Sequence, residues 1–179
     1  MPRMRIPLIL TLALAALQAA CSPEQNWRQI NFEGTPFKAQ LPCKPDRTTR
    51  EVPLGGTPVQ LTVAGCESGP AMLAVMTAAL DPGTDAQAVL QGWQKAVLAN
   101  LHAQAPAQSE PWARAGMLSL GSAQRMQIQG QRSDGQAVVA QAVWGAFAEG
   151  SHIRVVHAVV YAPKAQPQLA QALFDGVQP

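Results

Sequence analysis

The chain has 179 residues, 47% hydrophobic, 5% aromatic and only 13% charged, a composition that excludes a disordered chain and predicts a folded domain. Fifteen prolines and fourteen glycines, spread without period, exclude collagen, a coiled coil and a long helical repeat. The formal net charge of +2 is too small to leave an electrostatic footprint for nucleic acid.

Arg3 and Arg5 precede an apolar run from Ile6 to Leu17, and the small residues Ala19 and Ala20 follow, which is the layout of a secretory signal peptide over residues 1–20. The run is shorter than the roughly twenty residues that a membrane-spanning helix needs. Thirteen basic residues less Arg3 and Arg5 leave eleven, against eleven acidic ones, so the chain from Cys21 onward is neutral. No polybasic patch remains there for phosphate backbones or anionic head groups.

The stretch Leu17-Gln18-Ala19-Ala20-Cys21 resembles the lipobox of bacterial lipoproteins, in which the cysteine thiol receives diacylglycerol and becomes the new N-terminus. Gln18 stands where the lipobox normally has leucine or a similar aliphatic residue, so export as a soluble periplasmic protein is the alternative. The resemblance implies lipidation at Cys21 and attachment to a membrane through acyl chains. Ser22, in place of aspartate, implies sorting to the outer membrane, facing the periplasm.

Lipidation of Cys21 accounts for the odd member of three cysteines and leaves Cys43 and Cys66 to form a disulfide in an oxidising compartment. Two free buried thiols are the alternative, and zinc would need more ligands than these two supply. Residues 21–26, polar and containing Pro23, read as a lipidated N-terminus and short tether, and residues 27–179 as a single periplasmic domain.

Within that domain, Trp27 to Phe32 and Phe37 to Leu41 flank Gly34-Thr35-Pro36 and predict a hairpin, with Phe37, Ala39 and Leu41 on one face. Pro42, Pro45, Pro53 and Pro58 with Gly55-Gly56 mark a loop-rich passage before a strand over Val59 to Glu67. Met72 to Ala79 is uniformly apolar and should form a central strand. A helix is expected from about Thr84 to His102, because Ala86, Val89, Leu90, Trp93, Val97 and Leu101 recur at spacings of three and four, with Thr84 as cap.

A Pro/Ala/Gln linker over Ala103 to Pro111 follows, and then alternation sets in. Met126 and Ile128 point one way, Arg125, Gln127, Gln129 and Gln131 the other, so one sheet face is partly wet there. Asp134-Gly135 and Glu149-Gly150 suit tight turns, predicting an antiparallel meander through Gln136 to Phe147 and Ser151 to Ala162. A short helix over Gln168 to Asp175 closes the chain, with Pro167 at its start and a left-handed cap at Gly176. The expected class is α+β: an antiparallel sheet flanked by one long amphipathic helix and a short C-terminal helix.

This element order, together with Phe37-Lys38-Ala39-Gln40-Leu41-Pro42-Cys43-Lys44-Pro45, resembles small exported bacterial proteins with a PsbP-like α/β/α sandwich. Cys43 stands where glycine is common. The resemblance implies a non-catalytic accessory or envelope role and transfers no binding residues.

Catalytic motifs are absent from the sequence. His152 and His157, five apart on a predicted strand, fall on opposite faces and cannot jointly hold a metal; His102 ends the long helix. Gly150-Ser151-His152 lacks the nucleophile elbow, and Asp81 and Asp85 read as turn and helix start rather than a calcium pair. Trp27, Trp93, Trp112 and Trp144 lie on apolar periodic faces and are expected in the core. No catalytic residue, metal or cofactor is assigned. The expected role is protein binding or envelope assembly; the alternatives are a small-ligand or lipid carrier with a cavity between sheet and helix, and an enzyme built on His152, Glu149 or Asp134.

Overall fold

The computed structural model describes residues 25–179; the expected leader, Cys21 and the expected tether as far as residue 24 lie outside the described residues. Strands β1 (Arg28–Asn31), β2 (Lys38–Leu41), β3 (Asp46–Leu54), β4 (Thr57–Ser68) and β5 (Ala71–Leu80) precede helix α1 (Ala86–Asn100). Strands β6 (Gln108–Pro111), β7 (Gln124–Gln131), β8 (Ala137–Glu149) and β9 (His152–Ala162) follow, and α2 (Pro167–Asp175) comes last. Among these elements, β1 and β2 pair with each other, and the other seven strands form one antiparallel sheet in the order β3-β4-β5-β9-β8-β7-β6. The class is α+β, mostly antiparallel sheet with two helices.

The order follows from local connections. Each connection from β3 to β5 and from β6 to β9 joins spatial neighbours, by short turns except for the longer loop 112–123 between β6 and β7, and the two antiparallel runs meet where β5 pairs with β9. The Asp134-Gly135 and Glu149-Gly150 turns predicted from sequence carry glycines at φ +81° and +60°, where a side chain would be strained. β5 is interior, as its apolar run demands, but the middle position belongs to β9.

Two passages expected as loops contain strands. The proline-rich stretch after Leu41 holds β3, with Pro53 directly opposite Pro58, and the Ala103–Pro111 linker holds β6. Both are edge strands, where a missing N–H can face solvent, and both carry almost exclusively exposed side chains, so neither shows the apolar alternation that marks a buried strand.

One sheet face packs against α1, through Val89, Leu90, Trp93 and Val97 onto Leu61, Ala78, Trp144 and Val155. The other packs against the β1–β2 hairpin and α2, through Phe37, Leu41, Leu173 and Phe174 onto Val75, Val143, Val156 and Ala158. The result is three layers, with the predicted Phe37, Ala39 and Leu41 face wholly buried. Helix α1 sits tight on the β3–β4 turn: a Cβ on Gly92 would lie 2.5 Å from the Gly55 Cα, so glycine is required there for contact.

Helix ends differ from expectation in three places. The cap of α1 is Asp85, directly before the first helical residue, whose Oδ1 accepts from the Ala88 N–H at 3.1 Å; Thr84 lies one residue further out, in the preceding turn, where its N–H donates to the Asp81 carbonyl at 3.1 Å. Gly176 is right-handed, at φ −75°, and still donates to the Ala172 carbonyl; its lack of a side chain serves a close approach to Gln40, which a Cβ would meet at 2.7 Å. The left-handed cap occurs instead after α1, which ends at Asn100. There His102, at φ +51°, donates to the Ala99 carbonyl while Ala103 donates to that of Leu98, a Schellman pair. Relieving this left-handed histidine with His102→Gly is expected to stabilise the fold by about 1 kcal/mol, read as a rise of roughly 2–4 °C in Tm; an unchanged or lower Tm would contradict it.

Candidate functional site

The structure distributes the sequence-nominated reactive residues over structural roles. His152 and His157 do lie on opposite sheet faces. His152 is exposed, with Nδ1 3.3 Å from the Leu80 carbonyl oxygen. His157 is wholly buried beneath α1 because the β8–β9 register sets it opposite Trp144. Its ring stacks on Trp144 at 4.3 Å between centroids and meets Trp93 edge-on at 5.2 Å. Nδ1 lies 3.0 Å from the Val143 carbonyl oxygen; a carbonyl only accepts, so Nδ1 carries the proton and donates. Nε2 has no hydrogen-bond partner among the described residues, nor has the Trp144 indole nitrogen. Burial pushes the His157 pKa down to about 4, against a smaller opposing pull from the Val143 carbonyl. A neutral imidazole enclosed by two indoles fills the core and has no route to a substrate.

Glu149 and His152 are register partners beside the β8–β9 turn, and Arg154 donates to the Glu149 carboxylate. Burial would raise this carboxyl, but the hydrogen bonds from Arg154 and Thr35 and the nearby positive charge hold it below the usual range. Glu149 is thus a committed ion-pair partner linking this turn to the hairpin turn, and a weak base. Asp134 belongs to the turn at the other end of β8, where its Oδ1 accepts from the Gln136 N–H at 2.9 Å. Among the described residues, no three His, Cys, Asp or Glu side chains gather in an arrangement that could hold a metal. Trp93, Trp112 and Trp144 are buried and Trp27 partly so.

Two of the surface grooves on the described residues are walled largely by side chains that sequence patterning did not bring together. The first, about 360 Å³, is lined by Gln108, Ser109 and Glu110 of β6, Arg125 and Gln127 of β7, and Gln141 of β8. Its arginine is fixed: Arg125 donates to Gln171 Oε1 at 2.9 Å, lies 5.3 Å over the Phe174 ring and sits 3.6 Å from Glu110. Gln141 Oε1 in turn accepts from the Gln166 N–H just before α2. The wet side predicted for Arg125–Gln131 is one wall of this groove, and the sequence signal for the other walls is missing because register alone assembles them.

The second groove, about 500 Å³, opens at the end of the sheet that carries the Cys43–Cys66 disulfide, whose Cα atoms are 6.0 Å apart. Cross-strand partners Asp46 and Gly65, Thr48 and Val63, Gly65 and Ala74 place its floor on the α1 side of the sheet. α1 leaves that corner open because it runs diagonally, from the β3–β4 turn, where Gly92 meets Gly55, to β7, where the Leu101 carbonyl accepts from the Gln131 N–H. Met72 lines the open corner and is 42% exposed, the exposed large hydrophobic side chain among the described residues. The Asn26 N–H donates to the Pro42 carbonyl at 3.0 Å, so the chain enters the fold next to Cys43, on the groove's wall. No helix among the described residues is long and apolar enough to cross a membrane. No protein-family model and no curated protein matches the chain.

Proposed function

We propose that this chain is an exported lipoprotein, anchored through Cys21 at the periplasmic face of the outer membrane, whose PsbP-like sandwich binds an envelope protein without catalysis. The observation that carries the binding role is the first groove. Its amide, hydroxyl, carboxylate and guanidinium groups offer donors and acceptors around Arg125, whose charge is balanced by Glu110 3.6 Å away, chemistry suited to the backbone of an extended polypeptide segment. The leader, the lipobox-like stretch and the Cys43–Cys66 bond support an oxidising, extracytoplasmic setting. The α1, sheet and hairpin-plus-α2 layers support the PsbP-like reading. The carrier alternative needs a cavity between sheet and helix, where Trp93, Trp144 and His157 pack ring against ring.

A photo-cross-linking residue at Gln127 tests this in intact cells. The expected result is one discrete protein adduct, reduced at least about tenfold when Arg125→Ala removes the fixed cation. Capture of no protein, or of a smear that Arg125→Ala leaves unchanged, would overturn the groove as the binding surface.

A further inference from the structure

We propose that the second groove is the surface this domain presents to the membrane, with Met72 seated against lipid. The inference rests on the lipid-anchored reading above. It follows from where the chain enters the fold. Asn26 is bonded to Pro42, immediately before Cys43 of the groove wall, and Cys21 precedes Asn26 by five residues. Five residues reach at most about 17 Å at ~3.3 Å each, so an acyl anchor at Cys21 keeps this end of the sheet close to the bilayer.

The chemistry of the surface fits that position. Met72 and Val63 contribute apolar side chains, and Met72 is both exposed and unbranched, so it can follow an irregular lipid surface. Around them Lys44 stands beside Asp46 and Glu67, while the Arg47 guanidinium is held on the hairpin side by the Asn31 carbonyl at 2.7 Å, so no cationic cluster is there to attract anionic head groups. Contact therefore depends on apolar burial and on the anchor, and it resists salt. The opposite end of the sheet, at the Gly150-Ser151 turn, points away into the aqueous compartment, since β9 runs from that turn toward Ala162, whose neighbour Tyr161 pairs with Met72.

The test uses the full-length, processed protein reconstituted into vesicles of phosphatidylethanolamine and phosphatidylglycerol with brominated acyl chains. A dansyl-bearing residue replaces Met72 in one sample and Ser151 in another. The expected result is at least about twofold quenching at position 72, unchanged by 0.5 M salt, and none at 151. Protein that floats with the vesicles but shows equal quenching, or none, at both positions would overturn the groove as the lipid-facing surface while leaving the anchor standing. Protein that fails to float would overturn the anchor and this proposal together.

Discussion

Lowering the pH from 7.5 to 5.5 is expected to cost the fold roughly 1 kcal/mol through His157 alone, rising to about 3 kcal/mol by pH 4. The native imidazole titrates at about 4, below the ordinary 6.5 that it regains on unfolding. Above pH 6.5 it is neutral in both states and contributes nothing to the pH dependence. Between 6.5 and 4 the unfolded chain binds a proton that the native state refuses, so stability falls as the pH falls; below 4 both states are charged and the loss stops growing. The side chains that face His157 across the strands and from the helix are Met76, Trp144 and Trp93, none of which supplies a compensating charge. His157→Phe preserves a flat ring between the two indoles and removes the titration. Chemical denaturation of both proteins at pH 7.5 and 5.5 should therefore show a drop about 1 kcal/mol larger in the parent. Equal drops would mean that the histidine is solvated or already protonated in the native state. The interval avoids the range where Glu149 and Asp175, both held below their usual values, begin to lose their partners.

Removal of the disulfide is expected to have an effect of similar size. Cys43→Ala with Cys66→Ala should lower stability by about 3 kcal/mol, or roughly 10 °C in Tm, because the bond closes a loop of about 22 residues in the unfolded chain. It also ties the end of β2, in the hairpin layer, to β4 of the main sheet, with Cys66 packed against the core on that side. Thermal unfolding of the parent with and without reductant, beside the double variant, measures this. Matching transitions in all three would show that the cross-link contributes nothing.

The parts of the fold that were legible in the sequence are those whose pattern is local. The apolar stripe from Ala86 to Val97 requires a helix, the Asp134-Gly135 and Glu149-Gly150 pairs require turns, and the alternation through Met126 and Ile128 gives β7 its inner face. β3 and β6 escaped because an edge strand buries almost nothing and tolerates proline, so neither alternation nor composition distinguishes it from loop. The choice of Asp85 over Thr84 as cap is a one-residue difference in where the helix starts, which propensity does not resolve because both residue types cap well. Both grooves depend on register. Asp46, Gly65 and Met72 converge only once β3, β4 and β5 are aligned, and His157 lies between two indoles only because β9 pairs with β8 where it does. Opposite faces for His152 and His157 could be read from spacing; which of the two faced α1 could not.

Intact-mass and N-terminal analysis of the protein isolated from the membrane fraction of native cells decides whether the domain is lipid-anchored. The expected chain begins at Cys21, carries acyl groups there and retains an oxidised Cys43–Cys66 pair. A soluble cytoplasmic protein beginning at Met1, with two alkylatable thiols at Cys43 and Cys66, would contradict the lipid-anchored reading.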